Sequence, residues 1–366
     1  MANSAFNRAK KAKRDEFYTR IEDVEQELDH YSDHFEGKTI YLNCDDPKFS
    51  AFWQYFSYNF ELFGLKKLIA THYVSDGGSS YKYELEDHYD DHPIVVKSEL
   101  DGDGDFRSEE CIELLKEADV VATNPPFSLW REYTAQLIEY GKKFIIIGNM
   151  NAVIYTEIFP LFKNNEISFG YRPMSSQFLF EVPDGYGHER VDDNGRKLKS
   201  VSACWYTNLD HNRPHEDLAL TKFYEGNEEV YPMYDNYRAI EVGRVKEIPM
   251  DYEGVMGVPI TYLGKHSPDQ FNIIGMTNGR KDFEDPRSWP SKRYVNPTQH
   301  NKDGSTTNGS KVNTRANILL DEAPDDAIYY TADNVDGPLK SLYGRILIVN
   351  KKLVSRKEVE GKHQMS

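Results

Sequence analysis

The sequence predicts an α/β protein: a parallel β-sheet of about seven strands with helices on both faces, followed by a second, mixed domain. Short apolar segments rich in β-branched residues recur through the first 210 residues. Amphipathic helical patterns separate several of them, and such alternation is typical of a sheet buried on both faces. After residue 212 the pattern changes to short strand-like pieces in a chain rich in Tyr, Asn, Gly and Pro.

The predicted strands of the first domain are residues 39–44, 67–73, 93–97, 119–123, 143–148, 177–182 and 202–208. Phenylalanines at four-residue spacing in residues 49–64 predict a helix that stops at Gly64. A second helix begins at Ser108, a candidate N-cap, and a third covers residues 129–141. No helical pattern separates the last two strands, so the polar insert between them predicts a closing antiparallel hairpin.

A domain boundary is predicted near residue 212, which gives domains of residues 1–212 and 213–366. The chain of 366 residues is long enough for two ordinary cores. Residues 296–316 are polar and turn-rich, and they predict a mobile loop in the second domain. No internal repeat is visible.

Composition excludes several classes of protein. A hydrophobic content of 39% with 28% charged residues is normal for a globular protein, and no apolar run approaches membrane-spanning length. The N-terminus has no secretory pattern. Cys44, Cys111 and Cys204 lie far apart without metal-ligand spacing, which argues against a disulfide framework and a zinc site. We expect a cytoplasmic protein with no bound metal and no membrane association.

The net charge of −16 is unevenly distributed along the chain. Basic residues cluster in three places, which are an N-terminal arm (Arg8, Lys10, Lys11, Lys13 and Arg14), residues 278–294 and residues 343–357. Local fields govern docking on a polyanion, so the acidic total does not exclude nucleic acid. The candidate phosphate contacts in the second cluster are Arg280, Lys281, Lys292 and Arg293. The alternative is that arm and clusters are merely solvated.

Polar or acidic groups follow three predicted strands of the first domain. Asp45 and Asp46 follow the first strand, "DGDGDF" (residues 101–106) follows the third, and "NPPF" (residues 124–127) follows the fourth. Ligands of open α/β sheets bind outside the carboxyl ends of the strands. We therefore expect these three segments to converge on one cleft.

The "NPPF" segment has the residue types needed to bind an amino group. Asn124 offers a side-chain carbonyl oxygen, and the two prolines keep the following backbone from closing into a helix, which leaves the Pro125 carbonyl free to accept. Two such acceptors direct the nitrogen lone pair toward an electrophile. Phe127 offers a face for a planar base. An aromatic amine such as adenine N6 is a poor nucleophile that needs this help, and inside duplex DNA the base must first be flipped out.

Each motif has a simpler reading when it is taken alone. Asn-Pro-Pro is often only a turn that ends a strand. "DGDGDF" looks like the start of a calcium loop, but no glutamate closes the twelve-residue pattern. "NCDDP" (residues 43–47) is an ordinary turn with a capping aspartate, and "DEFYT" (residues 15–19) is an ordinary helix start. Only their placement at the same predicted sheet edge favours a shared site.

Asn-Pro-Pro-Phe after an apolar strand resembles motif IV of amino-methyltransferases that use S-adenosylmethionine. "DEFYT" resembles the N-terminal cofactor motif of the arrangement in which the recognition domain comes last. "NCDDPKFS" stands in the place of the glycine-rich cofactor loop, and "GDGDF" resembles the Asp-Phe element that flanks the cofactor's adenine. The whole chain is similar to the EcoRI adenine methyltransferase family, which modifies N6 of adenine within a short DNA sequence and commonly protects host DNA from a cognate restriction enzyme.

This resemblance implies a class I methyltransferase (Rossmann-like) sheet, S-adenosylmethionine as cofactor and a C-terminal target-recognition domain. Asn124, Pro125 and Phe127 would hold the target adenine, and Pro126 would fix the turn. The implied cofactor-binding residues are Tyr18, Thr19, Asp45, Asp46, Pro47, Asp105 and Phe106. Two departures from the family pattern stand out: the first loop has no glycine, and residues 67–73 end without an acidic residue for the ribose hydroxyls.

The favoured function is transfer of a methyl group to N6 of adenine in double-stranded DNA, by direct displacement and without a metal or covalent intermediate. The alternatives are methylation of RNA adenine or protein glutamine, and a catalytically silent DNA-binding protein suggested by the charge. Phe127, where a tyrosine is the other option, and the recognition-sized second domain favour DNA. We expect a monomer or weak dimer, with a cognate restriction enzyme as a possible partner.

Overall fold

The computed structural model describes residues 18–44, 46–74, 79–88, 91–174, 176–182, 187 and 189–356. The chain divides into two compact units. The first unit comprises Met1–Phe162 and Glu166–Asn212, and the second comprises Lys163–Asn165 and Arg213–Ser366.

Helices and strands alternate in two stretches of the first unit, and elsewhere strands follow one another directly. The α-helices in the described part are α1 (Ile21–Leu28), α2 (Ala51–Tyr58), α3 (Glu109–Glu117), α4 (Trp130–Glu139) and α5 (Phe159–Lys163). The strands are β1 (Thr39–Leu42), β2 (Lys67–His72), β3 (Tyr81–His88), β4 (Asp91–Glu99), β5 (Val120–Thr123), β6 (Lys143–Asn149), β7 (Ser168–Phe169), β8 (Phe178–Glu181), β9 (Arg190–Val191), β10 (Lys197–Val201) and β11 (Ala203–Thr207).

The main sheet has eight strands in the order β4-β3-β2-β1-β5-β6-β11-β7. Strands β2, β1, β5 and β6 are mutually parallel. On both sides of them, each flanking strand pairs antiparallel with its neighbour. The α/β prediction is confirmed, but the sheet is mixed and not wholly parallel. It lacks the predicted strand of residues 177–182 and contains two strands that were not predicted, β7 and β3. The additional strand β3 is rich in charged residues, and Lys67 of β2 forms salt bridges with Glu84 and Glu86 of β3.

The predicted closing hairpin between residues 177–182 and 202–208 is wrong. Strand β8 pairs instead with β10, and with β9 they form a separate three-stranded sheet. Strand β11 is buried along its whole length and pairs with β6. The partner of β8 is β10, which includes the end of the polar insert. Only Leu198 of β10 is fully buried, so the sequence of this strand has a polar pattern that resembles a turn.

The local signals for the starts of two helices and for the end of α4 agree with the structure. Ser50 and Ser108 cap α2 and α3 by accepting hydrogen bonds from the backbone N–H of Trp53 and Cys111 at 3.1 and 3.2 Å. Gly141 directly follows the C-cap of α4 and has φ +60°, a conformation that favours glycine. Gly64 also has a positive φ, +58°, but α2 ends at Tyr58, so the predicted helix stop at Gly64 is wrong.

The second unit contains two sheets whose strands pair mainly antiparallel. Its strands are β12 (Ala239–Glu241), β13 (Val255–Pro259), β14 (Phe271–Met276), β15 (Thr298–His300), β16 (Thr306–Asn308), β17 (Asn317–Leu319), β18 (Tyr329–Ala332), β19 (Val335–Ser341) and β20 (Arg345–Asn350). One sheet has the order β12-β13-β20-β14 and the other β16-β15-β18-β19-β17. The loop predicted over residues 296–316 contains the β15–β16 hairpin, so that prediction is wrong in its secondary structure. Within the described residues, every helix is too short or too polar to cross a bilayer.

Candidate active site

A cavity of about 260 Å³ lies in the first unit, at the carboxyl ends of the parallel strands. Its walls come from the loops after β1, β2, β4 and β5 and from the segment that precedes α1. The predicted site residues that line it are Tyr18, Thr19, Asp46, Asp105, Phe106, Asn124 and Pro126. Pro47, Pro125 and Phe127 are not among its lining residues, and Asp45 lies outside the described residues.

The "NPPF" segment leads from β5 into α4 with little helical closure. The Pro126 carbonyl accepts a hydrogen bond from Leu129 N–H at 3.0 Å, whereas the Pro125 carbonyl takes part in none of the hydrogen bonds found in the described part of the chain. Trp130, the first residue of α4, donates from its indole Nε1 to the Ile147 carbonyl at 3.0 Å. The segment is thus anchored to the neighbouring strand β6.

Phe127 is half buried and lies beside the small sheet of β8. Its ring meets Phe180 edge to face, with centroids 6.3 Å apart, and it packs against the main core of the unit. The part of the ring that remains accessible is therefore fixed in position by core contacts.

The Asp46 carboxylate is held by three donors at the edge of the sheet. Oδ1 accepts from the Tyr81 hydroxyl at 2.7 Å and from Lys48 N–H at 3.0 Å, and Oδ2 lies 3.1 Å from His72 Nε2. The His72 and Tyr81 rings are stacked at 4.8 Å. Burial, together with the hydrogen bond to Asp46, raises the pKa of Tyr81, which keeps the hydroxyl protonated as a donor.

His72 and Tyr81 were missed at the sequence level. His72 ends β2, at the position where the family pattern predicts an acidic residue for the ribose hydroxyls, and that position is the sequence signal for it. Tyr81 begins the unpredicted strand β3 and pairs with His72 in register. An acidic group therefore does stand at this edge, but it comes from the loop after β1.

The "DGDGDF" loop packs closely on the end of β2. Gly104 has φ +78°, and a Cβ added there would overlap the His72 carbonyl oxygen. Val74 N–H donates to the Asp103 carbonyl at 2.9 Å, which extends the contact. Glycine at 104 is therefore needed for this close approach of the loop to β2. Within the described residues, no group of three or more His, Cys, Asp or Glu side chains has metal-binding geometry.

Asp105 and Phe106 have different surroundings on the cavity wall. Asp105 is paired with Arg107 through Oδ2–Nη2 at 2.6 Å and Oδ1–Nε at 2.8 Å, and this hydrogen bonding holds the pKa of Asp105 below its ordinary value. Phe106 is almost fully buried and meets Tyr133 edge to face at 5.1 Å. The Tyr133 hydroxyl donates to Oδ1 of Asn43, a buried residue directly after β1 that also lines the cavity.

Tyr18 and Thr19 reach the cavity because the chain before α1 pairs with β8. Tyr18 N–H donates to the Glu181 carbonyl at 3.1 Å, and Glu181 N–H donates back to Tyr18 at 3.0 Å. Arg20 then donates to the Leu179 carbonyl at 3.1 Å. The rest of the "DEFYT" motif and the basic N-terminal arm lie outside the described residues.

The basic cluster of the second unit is partly engaged in internal pairs. Lys292 Nζ lies 2.6 Å from Asp235 Oδ1, and Arg280 Nε lies 3.2 Å from Asp282 Oδ2. Lys281 lies over the Trp289 ring at 5.5 Å, while Arg293 is exposed. The pairing of Lys292 favours a structural role over phosphate contact.

Comparison with known proteins places the chain in a family. The family described as "Adenine-specific methyltransferase EcoRI" matches residues 5–351. The chain is 48% identical to the Type II methyltransferase M.EcoRI of Escherichia coli over 297 residues, which cover 76% of this chain and 90% of that protein. It is 41% identical to the Type II methyltransferase M.MpnI of Mycoplasma pneumoniae over 276 residues, which cover 74% of this chain and 84% of that protein. No solved structure gave a significant match.

The family match covers nearly the whole chain, and the relatives are aligned over most of their own length. The resemblance first seen in "NPPF", "GDGDF" and "DEFYT" is confirmed. The chain belongs to the EcoRI family of adenine-specific methyltransferases.

Proposed function

We propose that the protein transfers the methyl group of S-adenosylmethionine to N6 of an adenine that is flipped out of double-stranded DNA. The observation that supports this most directly is the shared cavity, where Asn124 and Pro126 stand with Asp46, Asp105 and Thr19. A base-binding motif and the implied cofactor residues thus meet at one sheet edge.

The residues of the cavity fit S-adenosylmethionine in chemical type. Asp46 and Asp105 are acceptors for ribose hydroxyls, an amino group or an ammonium group. Phe49 and Tyr73 line the cavity and are largely exposed, so they are suited to cover a flat ring. Asp46, held by His72 and Tyr81, takes the ribose role that residues 67–73 leave unassigned.

The protein contributes orientation and electrostatic help to the transfer. The cofactor supplies an electrophilic methyl group on a positively charged sulfur. The Asn124 side-chain oxygen and the Pro125 carbonyl accept hydrogen bonds from the adenine amino group, which concentrates electron density on N6 and directs its lone pair. Phe127, fixed against Phe180, packs on the base. The two prolines hold both acceptors still, so little reorganisation is needed during the reaction.

The relatives are named Type II methyltransferases, which supports DNA as the substrate and a restriction-modification setting. The second unit is the proposed target-recognition domain. We expect the protein to act as a monomer or weak dimer in the cytoplasm, and to need no restriction enzyme for binding DNA. The family is described as adenine-specific, which argues against protein glutamine as the substrate, and the assay below compares DNA with RNA and protein.

The test is transfer of labelled methyl from S-adenosylmethionine to duplex DNA, RNA or protein. Label is expected in DNA adenine, and Asn124→Ala is expected to lower kcat by about 100-fold or more while cofactor affinity changes little. Asn59→Ala, in the turn after α2 and away from the cavity lining, is the matched control and is expected to retain activity. Label found only in RNA or protein would overturn the proposed substrate, and full activity of Asn124→Ala would overturn the site.

A further inference from the structure

The Asn43 side chain has a buried donor on the cavity wall. Asn43 is 2% exposed and lines the cavity directly after β1. The Tyr133 hydroxyl donates to its Oδ1, and the Cys44 thiol lies 3.9 Å from the same oxygen. Because both neighbours are donors, the amide is held with Oδ1 toward α4. Its Nδ2 is buried and has no hydrogen-bond partner within the described residues.

A second polar atom of the same wall is in the same position. Thr19 Oγ1 is buried, and no partner for it exists in the described part of the chain. A buried donor without a partner has lost its hydration and gained nothing in exchange, so native proteins rarely keep one unless a ligand or water satisfies it. Asn43 Nδ2 can only donate and therefore needs an acceptor, while the Thr19 hydroxyl beside the same cavity can donate to that ligand group as well.

The charged groups on the described wall are poorly suited to bind the carboxylate of a ligand. Asp46 and Asp105 are acceptors and suit the donors of a ligand. Arg107 is the sole Arg or Lys among the described lining residues, and it is already paired with Asp105 and lies 3.3 Å from Glu132. The methionine carboxylate of S-adenosylmethionine brings acceptors only, so neutral donors remain to bind it.

We propose that Asn43 Nδ2 donates a hydrogen bond to the carboxylate of the bound cofactor, beside Thr19 Oγ1. Tyr133 is the positioning residue, because its hydroxyl fixes which end of the amide faces the ligand. Asparagine at this position therefore selects for an acceptor, where an aspartate would repel the carboxylate. This inference rests on the proposed use of S-adenosylmethionine.

The test compares two ligands on the full chain at pH 8 by calorimetry. S-adenosylhomocysteine carries the carboxylate, and methylthioadenosine has the same nucleoside thioether without the amino-acid part. Asn43→Asp is expected to weaken S-adenosylhomocysteine binding by about 10-fold or more and methylthioadenosine binding by less than about twofold. Tyr133→Phe is expected to show the same selectivity with a smaller loss of about 3-fold.

Tyr41→Phe is the matched control, since Tyr41 is also buried in this unit but its hydroxyl pairs with Thr71 at 3.1 Å. It should change neither affinity. If Asn43→Asp and Tyr133→Phe both lost affinity equally for the two ligands, or if S-adenosylhomocysteine binding were unchanged, the role of Asn43 would be overturned. The proposed cofactor would not be affected by that result. Failure of the unaltered protein to bind either ligand overturns the proposed cofactor and this assignment with it.

Discussion

The two units fix their polar side chains in different ways. In the first unit, the parallel strands β1 and β5 are buried along their whole length, and the polar groups stand just beyond their ends. In the second unit, strands β15 and β16 have no fully buried residue, and much of the chain is irregular. There, buried side-chain pairs such as Glu241–Arg345 hold the backbone in place.

This difference changes how a charged residue should be interpreted in each unit. At the strand ends of the first unit, apolar packing already fixes the backbone, so a polar side chain there is available for a ligand. In the second unit a charge is often part of the scaffold, as Lys292 shows by pairing with Asp235. Basic residues of that unit are therefore weak evidence for DNA contact unless they are also exposed.

The largest effect is expected from Glu241→Ala in the second unit. Arg345 forms a bidentate pair with Glu241 at 2.7 and 3.0 Å, and the Tyr234 hydroxyl also donates to this carboxylate. Removing the carboxylate leaves a largely buried guanidinium without its ion-pair partner, which costs about 3–5 kcal/mol. Urea unfolding should show this loss, while calorimetry should show unchanged affinity for S-adenosylhomocysteine.

Glu322→Ala, at an exposed position of the same unit, is the control and should unfold like the unaltered protein. If Glu241→Ala abolished cofactor binding in the folded protein, the proposed separation of roles between the units would be broken.

Gly104→Ala tests the first unit, where a change beside the cavity is expected to lower both stability and cofactor affinity. The added methyl group overlaps the His72 carbonyl, and φ at this position is unfavourable for alanine. We expect a loss of about 2 kcal/mol in stability and a clear drop in cofactor affinity, because the loop carrying Asp105 must move off β2. Gly102→Ala is the matched control, since a Cβ there meets no atom within 4 Å. Equal behaviour of the two variants in thermal unfolding and calorimetry would contradict the close-packing account.

The position of the cavity at the sheet edge could be predicted from the sequence, and the contacts among the residues that line it could not. "NPPF", "DGDGDF" and Asp46 each follow an apolar strand, and the carboxyl ends of parallel strands share one edge. The hydrogen bond from Tyr81 to Asp46 could not be predicted, because Tyr81 lies in β3 and that strand was not predicted. The charged residues of β3, such as Glu84, which pairs with Lys67, gave it no apolar strand pattern. Asn43 was passed over because its significance depends on Tyr133, which lies ninety residues away on α4.

Two adjacent basic residues of the second unit are expected to have different roles, one in stabilising the fold and the other in contacting DNA. Lys292 pairs with Asp235, which also accepts from the Tyr294 hydroxyl at 2.8 Å, whereas Arg293 is exposed. Lys292→Ala should lower the free energy of unfolding by about 1–2 kcal/mol, since it strips one partner from a largely buried carboxylate. Arg293→Ala should leave stability unchanged and weaken DNA binding by a few-fold, with a shallower salt dependence. The reverse pattern in urea unfolding and DNA titration would show that Lys292, not Arg293, contacts the phosphates.

The smallest effect concerns pH and again belongs to the second unit. His266 accepts from the Tyr262 hydroxyl at Nδ1, 2.9 Å away, and donates from Nε2 to Asn165 Oδ1 at 3.2 Å. Burial, together with Lys351, lowers the pKa of His266 to about 4. The folded protein therefore keeps this ring neutral while the unfolded chain protonates it near pH 6.5. Its stabilising contribution is complete above pH 6.5 and is lost as pH falls toward 4.

His266→Asn should be less stable than the unaltered protein at pH 7.5. The difference in free energy of unfolding between the two proteins should narrow by on the order of 1 kcal/mol at pH 5, because the ring is only partly shielded from solvent. A gap that stays constant in urea unfolding at both pH values would show that the neutral ring is not part of what holds this unit together.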